Sequence, residues 1–267
     1  MIVDTHTHAS PRWMEPIETL DMQMRKNGVD QALLMPLRDD FDMEYLFSCA
    51  ERFPGRFFAV AGIDTNDPAA VDRLAALAQR GAVALRLTAN DRSPGSDPLA
   101  IWAGAAALGV PVSALGEPVD FLTPEFARIV TAFPHLPIVL EHLGGAGPFW
   151  GHNRPFKSLP MDLYQGILGL ARYPNLYMKM PGVAEFMPRP RPMVAVVRAH
   201  MQPVYEMAID AFGASRLMWG SDYPPSGNRE GYANALAWPR ELVQYKSEAE
   251  RDQVFGGTAR ALFRLDR

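Results

Sequence analysis

The chain has 267 residues, a hydrophobic fraction of 48% and a formal net charge of −4. That composition supplies a sizeable core and excludes a disordered chain, and the mild acidity argues against nucleic acid or an anionic membrane as partner. A lone cysteine, Cys49, excludes a disulfide framework and a thiolate metal site, and no apolar run approaches the roughly 18 residues of a membrane span.

The first apolar run, IVDTHTH, starts at Ile2, which leaves no room for a signal or transit peptide and leads us to expect a cytoplasmic protein. Further runs follow at 31–37, 56–64, 81–88, 110–116, 136–144, 175–180 and 216–222. Amphipathic stretches at 14–27, 43–53, 67–80, 97–108, 123–133, 160–172 and 198–213 separate them. Strand then helix, repeated through eight strands, predicts a parallel sheet with helices outside it. Eight units in this length predict one domain over 1–267, a closed (β/α)8 TIM barrel, with an open doubly wound sheet as the alternative. The Pro-rich stretch MPRPRPM at 187–193 reads as a long loop after strand seven.

In a barrel, alternate strand residues point inward and the site lies at the C-terminal strand ends. On strand one, Asp4, His6 and His8 are expected to share a face. Residues two apart rise about 6.6 Å, so both imidazoles can converge on one ion, or else form a hydrogen-bonded interior pair. Arg86 ends strand four above the small Ala84 and Ala82, and is expected either to hold a substrate carboxylate or carbonyl or to pair with a loop acid. His142 ends IVLEH on strand six, which would leave Glu141 facing the helix layer. Lys179 on strand seven would bind an anionic substrate or an inward acid. Asp222 ends LMWGSD on strand eight, with Gly220 leaving room beneath it, and can hold a metal or take a proton from water.

Other candidates carry less. LGGAGPFWG at 143–151 is not a dinucleotide fingerprint and reads instead as a loop carrying His152, Asn153 and Arg154 over the mouth. Ser221 lacks a nucleophile-elbow context. His135, His200 and Cys49 read as structural.

VDTHTH, ALRL, IVLEHLGG, NLYMKM and RLMWGSDYP, in that order, resemble the amidohydrolase superfamily, nearest the amidohydrolase-related branch that includes the pyrone-dicarboxylate and sugar lactonases and a zinc-dependent decarboxylase. The resemblance covers nearly the whole chain. It implies that His6, His8, His142 and Asp222 are catalytic, with His6, His8 and Asp222 as ligands of one divalent metal, zinc, or of none, as in the metal-independent lactonases. It implies Arg86 as a substrate anchor, which joins Lys179, Arg154 and His152 in the expected substrate-binding set. Two departures stand out. Strand five, PVSALGEP, lacks the histidine of the decarboxylases, although Glu117 could assist a metal. Strand four offers Arg86 where binuclear members carry a carboxylated lysine. The expected function is hydrolysis of a lactone or related cyclic ester of an acidic small molecule, with Asp222 activating water. The alternatives are zinc-dependent decarboxylation of an unsaturated or aromatic acid, and a non-catalytic barrel that binds an acidic metabolite.

Overall fold

Eight short strands, nearly all of whose residues are buried, follow one another around a single parallel sheet in the order β1 to β8. They are β1 (Val3–Thr7), β2 (Gln31–Leu34), β3 (Phe57–Gly62), β4 (Ala84–Thr88), β5 (Val112–Leu115), β6 (Ile138–Leu140), β7 (Leu176–Met180) and β8 (Leu217–Trp219). The computed structural model describes residues 1–147, 161–186 and 194–266. All eight predicted strands are present, and helices stand between them as the alternating pattern requires. Among the described residues, no helix is long and apolar enough to cross a membrane.

The sheet closes where β1 meets β8. Thr7 bridges to Tyr223, His8 N donates to Tyr223 O at 2.8 Å, and Asp222 N donates to His6 O at 2.9 Å. The Thr5 hydroxyl adds a bond to Trp219 O at 2.7 Å. Gly220 permits this approach, because a Cβ there would lie 2.8 Å from His6 Cβ. The structure is therefore a (β/α)8 barrel.

Alternate residues divide between two cores. Leu33, Phe58, Val60, Ala84, Val139 and Met218 pack inside the barrel, where Phe263 and Leu265 join them from the C-terminal segment. Their neighbours Ala32, Leu34, Leu85, Ile138 and Leu217 pack outward against the helix layer. Helix ends follow local chemistry: Thr123 caps Pro124–Ala132 by accepting from Phe126 N at 3.2 Å, with proline at the first helical position. The four α-helices described after β8, Gly227–Glu230, Tyr232–Leu242, Glu248–Asp252 and Thr258–Phe263, are additions to the sequence reading. Pro239 and the Gly256–Gly257 pair interrupt their helical pattern.

The strand-one face corrects an expectation. The pairing register of β1 shifts between Asp4 and Thr7, and the interior residue before the shift is Val3. Asp4 instead accepts from Ser221 N at 2.8 Å and from the Tyr232 hydroxyl at 2.9 Å. It therefore ties the closing strands to the helix Tyr232–Leu242 and does not share a face with His6 and His8. Burial raises its carboxyl to about 6, against the lowering pull of its hydrogen bonds to Ser221 and Tyr232.

Candidate active site

His6, His8 and Asp222 meet at the seam that closes the barrel. Nε2 of His8 lies 3.4 Å from Asp222 Oδ1, and Nε2 of His6 lies 3.7 Å from the same oxygen. The other carboxylate oxygen accepts from the Ser226 hydroxyl at 2.5 Å. Burial works against the Asp222 charge, but the hydrogen bond from His8, the His142 and His8 charges and the Ser226 bond together hold the carboxyl below its ordinary value. Asp222 itself sits at φ 49°, which turns its side chain off the strand line. His8 Nδ1 faces Met35 O at 3.0 Å, which fixes the ring and leaves Nε2 toward Asp222.

His142 joins this group by a backbone turn. Residues 142–145 all adopt positive φ, between 53° and 71°, directly after β6. Gly145 is required there, since a Cβ would lie 1.9 Å from Gly116 O. The turn brings the His142 ring to 4.6 Å from that of His6 between centroids. It also leaves Glu141 inside the barrel, two residues on from the interior Val139. The expectation that Glu141 faces the helix layer is thus corrected: strict alternation ends at the residue where it was used to place His142.

Glu141 is fully buried and takes three hydrogen bonds. Arg86 grips it with Nε at 3.2 Å and an Nη at 2.8 Å, and Ser113 of β5 donates at 2.7 Å. Burial would raise this carboxyl, but the charges of Arg86, Lys179 and His142 overcome it and hold it at about 2. Arg86 spends its other bond on Pro36 O at 2.7 Å. The guanidinium expected to anchor a substrate carboxylate therefore already has a carboxylate partner, Glu141, the residue that follows β6.

Glu185, on the loop after β7, places Oε1 2.7 Å from His142 Nδ1. Burial would lower the imidazole, yet the charge and hydrogen bond of Glu185, helped by Asp222 and Glu141, raise it to about 9. Burial also raises Glu185. The pair thus keeps a proton across neutral pH. Sequence reasoning missed Glu185 and Ser226, because both lie on loops where no strand or helix period points to an interior side chain.

Lys179 is inward, as expected, but it lies beneath the site. Its Nζ sits 3.2 Å from His6 Nδ1 and 3.6 Å from Met35 Sδ, and the residue is 2% exposed. Burial lowers it to about 8, partly opposed by Glu141. Burial, reinforced by the Lys179 charge, likewise keeps His6 well below its ordinary value, and so neutral.

A cavity of about 220 Å³ opens above these groups, with His8, Arg86, His142, Glu185, Asp222 and Ser226 in its wall. His6 lies just behind it. His152, Asn153 and Arg154 lie outside the described residues. His135 and His200 are exposed, and Cys49 is buried in the helix Glu44–Arg52.

The donor set suits a divalent cation. His6, His8 and Asp222 bring their ligand atoms within 4.8 Å of one another. His8 has the carbonyl partner on Nδ1 that a metal-ligating histidine needs, and His6 Nε2 is buried with no hydrogen-bond partner. Glu117 is not part of this group; it stays exposed at the start of the short helix Pro118–Phe121.

Imidazoles and carboxylates gathered at the C-terminal ends of β1, β6 and β8 make this a (β/α)8 barrel with its ionisable site at the strand mouth. The chain belongs to the amidohydrolase family, whose model matches residues 3–265. An L-fucono-1,5-lactonase from Burkholderia ambifaria is 30% identical over 149 residues, which are 54% of this chain and 47% of that protein. The chain thus matches about half the length of this curated relative. A candidate 2-pyrone-4,6-dicarboxylic acid hydrolase from Pseudomonas putida superimposes with a TM-score of 0.78 at 21% identity, covering 100% of this chain and 98% of that one. An amidohydrolase from Burkholderia multivorans with bound zinc superimposes with a TM-score of 0.74 at 20% identity, covering 99% of each chain.

Proposed function

We propose that this protein hydrolyses a lactone, or a related cyclic ester, of a small hydroxy acid. The observation that carries this reading is the pairing of opposite roles across one cavity. Asp222 is held ionised beside His142, which Glu185 keeps protonated. A base and an acid with separated proton affinities are what addition of water to an ester requires. The lactone-acting relative named above supports the same class.

In this scheme Asp222 takes a proton from a water in the cavity, and the hydroxide adds to the ring carbonyl. His142 faces the developing oxyanion and stabilises it. The acyl–oxygen bond then breaks. The ring oxygen leaves with the proton returned from the Asp222–His142 pair, and the products are a hydroxyl and a carboxylic acid on one chain, the acid then releasing its proton to solvent as it becomes a carboxylate. His6 and His8 fix the orientation of Asp222. Arg86 and Ser113 fix Glu141 beneath the mouth, and Lys179 fixes His6. Arg154 and His152, from the loop after strand six, are proposed to contact the substrate. A divalent metal, zinc being the proposed identity, would be held by His6, His8 and Asp222 and would polarise the carbonyl and lower the pKa of water.

The test is a panel of γ- and δ-lactones, assayed for acid release with wild-type protein and Asp222→Asn. Ring opening by the wild type that falls by about 10³-fold or more in the variant, with folding intact, is the expected result. Near-normal turnover by the variant removes Asp222 from the role of base. Carbon dioxide release from unsaturated or aromatic acids, with no lactone opened, replaces the reading with decarboxylation.

A further inference from the structure

Glu185 sits in a short helical turn, Val183–Glu185, on the loop after β7. Among the described residues its carboxylate makes one hydrogen bond, to His142. A side chain with a single tether takes its position from its backbone. Whatever holds this turn therefore decides whether the contact with His142 forms.

Two side chains hold the loop from outside. The Tyr205 hydroxyl donates to Pro181 O at 2.9 Å, at the start of the loop. Glu230 reaches the turn itself. Its Oε1 accepts from Ala184 N, the residue before Glu185, at 3.1 Å. The first amides of a helical turn lack a partner within it, so an acceptor from elsewhere fixes them. Glycine at 182 keeps the approach open, since a Cβ there would lie 2.1 Å from the same Glu230 oxygen.

Glu230 belongs to the segment that also supplies the proposed base. Asp222 opens that segment, Ser226 bonds its carboxylate, and the one-turn helix Gly227–Glu230 follows directly. Ser226 N and Gly227 N donate to Asp222 O at 2.9 and 3.0 Å, which ties the stretch into one unit. The segment thus carries the base at one end and grips the partner of the acid at the other. Burial pushes the Glu230 carboxyl up to about 8, and Glu185 adds to the rise. At neutral pH it is mostly uncharged, so it serves the turn as an acceptor of fixed reach and adds little charge beside Glu185.

We propose that Glu230 is a positioning residue: it pins the turn that carries Glu185 and so holds the Glu185–His142 contact in register with Asp222. Its effect on turnover rests on the lactonase reading; its hold on the turn does not.

Three variants provide the test. Glu230→Gln keeps the acceptor and its reach. Glu230→Ala removes it, and Glu230→Asp withdraws it by one methylene. The Ala and Asp variants should lower kcat on an opened lactone by about tenfold or more, with KM within about twofold, while Gln keeps the wild-type rate. A second readout needs no substrate. The Nδ1–H proton of His142, bonded to Glu185, gives a far-downfield magnetic resonance signal, assigned by its loss in His142→Gln. That signal should persist in Glu230→Gln and vanish or move upfield in the other two. Wild-type kcat in Ala and Asp, or an unchanged signal in both, overturns the positioning role whatever the change in stability. A loss in Gln equal to that in Ala overturns it as well, and so does the absence of the signal from the wild type. If Glu230→Ala does not fold, the Asp and Gln variants decide the matter. If the wild type opens no lactone but the signal follows the expected pattern, Glu230 keeps its role and the reaction reading falls.

Discussion

Glu185 Oε1 lies 2.7 Å from Nδ1 of His142, although the two residues come from different loops and are 43 positions apart. This contact sets the proton inventory of the mouth. His142 is pushed up to about 9, so its imidazolium persists at neutral pH and is lost as pH rises through about 9. Its contribution to stability has the same sign: complete below the ordinary histidine value and lost as pH rises through about 9. Asp222 has the opposite sign, since its depressed carboxyl is lost only as pH falls below the ordinary aspartate range. A plot of kcat against pH should therefore fall on the alkaline side near 9. Glu185→Gln removes the charge that holds the proton, and the alkaline limb should move to lower pH. A limb that stays in place assigns it to Lys179, held at about 8, and removes His142 from the acid role.

The Arg86–Glu141 pair predicts a stability effect where a substrate anchor would predict a binding effect. Both side chains are nearly or fully buried, at 9% and 0% exposed. Removing one partner leaves the other charge unpaired inside the barrel. Arg86→Met should cost about 3–5 kcal/mol in chemical denaturation. A variant of unchanged stability with only a raised KM would restore Arg86 to the role of anchor.

Asp4→Ala should loosen the seam. It leaves Ser221 N and the Tyr232 hydroxyl without their acceptor, and each buried unpaired group costs about 1–3 kcal/mol. A fall of roughly 2–5 kcal/mol in unfolding free energy is expected. Asp4→Asn, which keeps an acceptor oxygen and no charge, should cost much less.

Metal content gives a prediction independent of turnover. Protein purified without added metal and then titrated with zinc should bind one equivalent, and His8→Ala should weaken that binding strongly, since His8 alone of the two strand-one histidines has a carbonyl behind Nδ1. Retention of wild-type affinity by the variant would move the ion away from the proposed donor set.

The strands were legible because burial on both faces writes continuous apolar runs, and their C-terminal polar residues named most of the mouth. The failures occur where the backbone leaves the regular strand. At Asp4 the register of β1 shifts, so counting by twos from His6 misplaces it. At Glu141 the count by twos from His142 fails, because the positive φ of His142 turns that ring inward without needing strand alternation. His142 was thus placed at the mouth correctly but for a different geometric reason. Glu185 and Ser226 could not be found by period at all. Their roles depend on contacts 43 and 4 positions away that loop sequence does not encode as a pattern.

The seam between β1 and β8 has a consequence for how the protein folds. His6 and Asp222 stand 216 positions apart in the chain, and Asp4 and the Tyr232 that steadies it stand 228 apart. Until those distant segments meet, the two imidazoles lack the Asp222 carboxylate, so the group His6–His8–Asp222 cannot form before the barrel is closed. On the proposed function, catalytic competence then waits on ring closure, and a turnover assay on refolding protein would report when the seam forms.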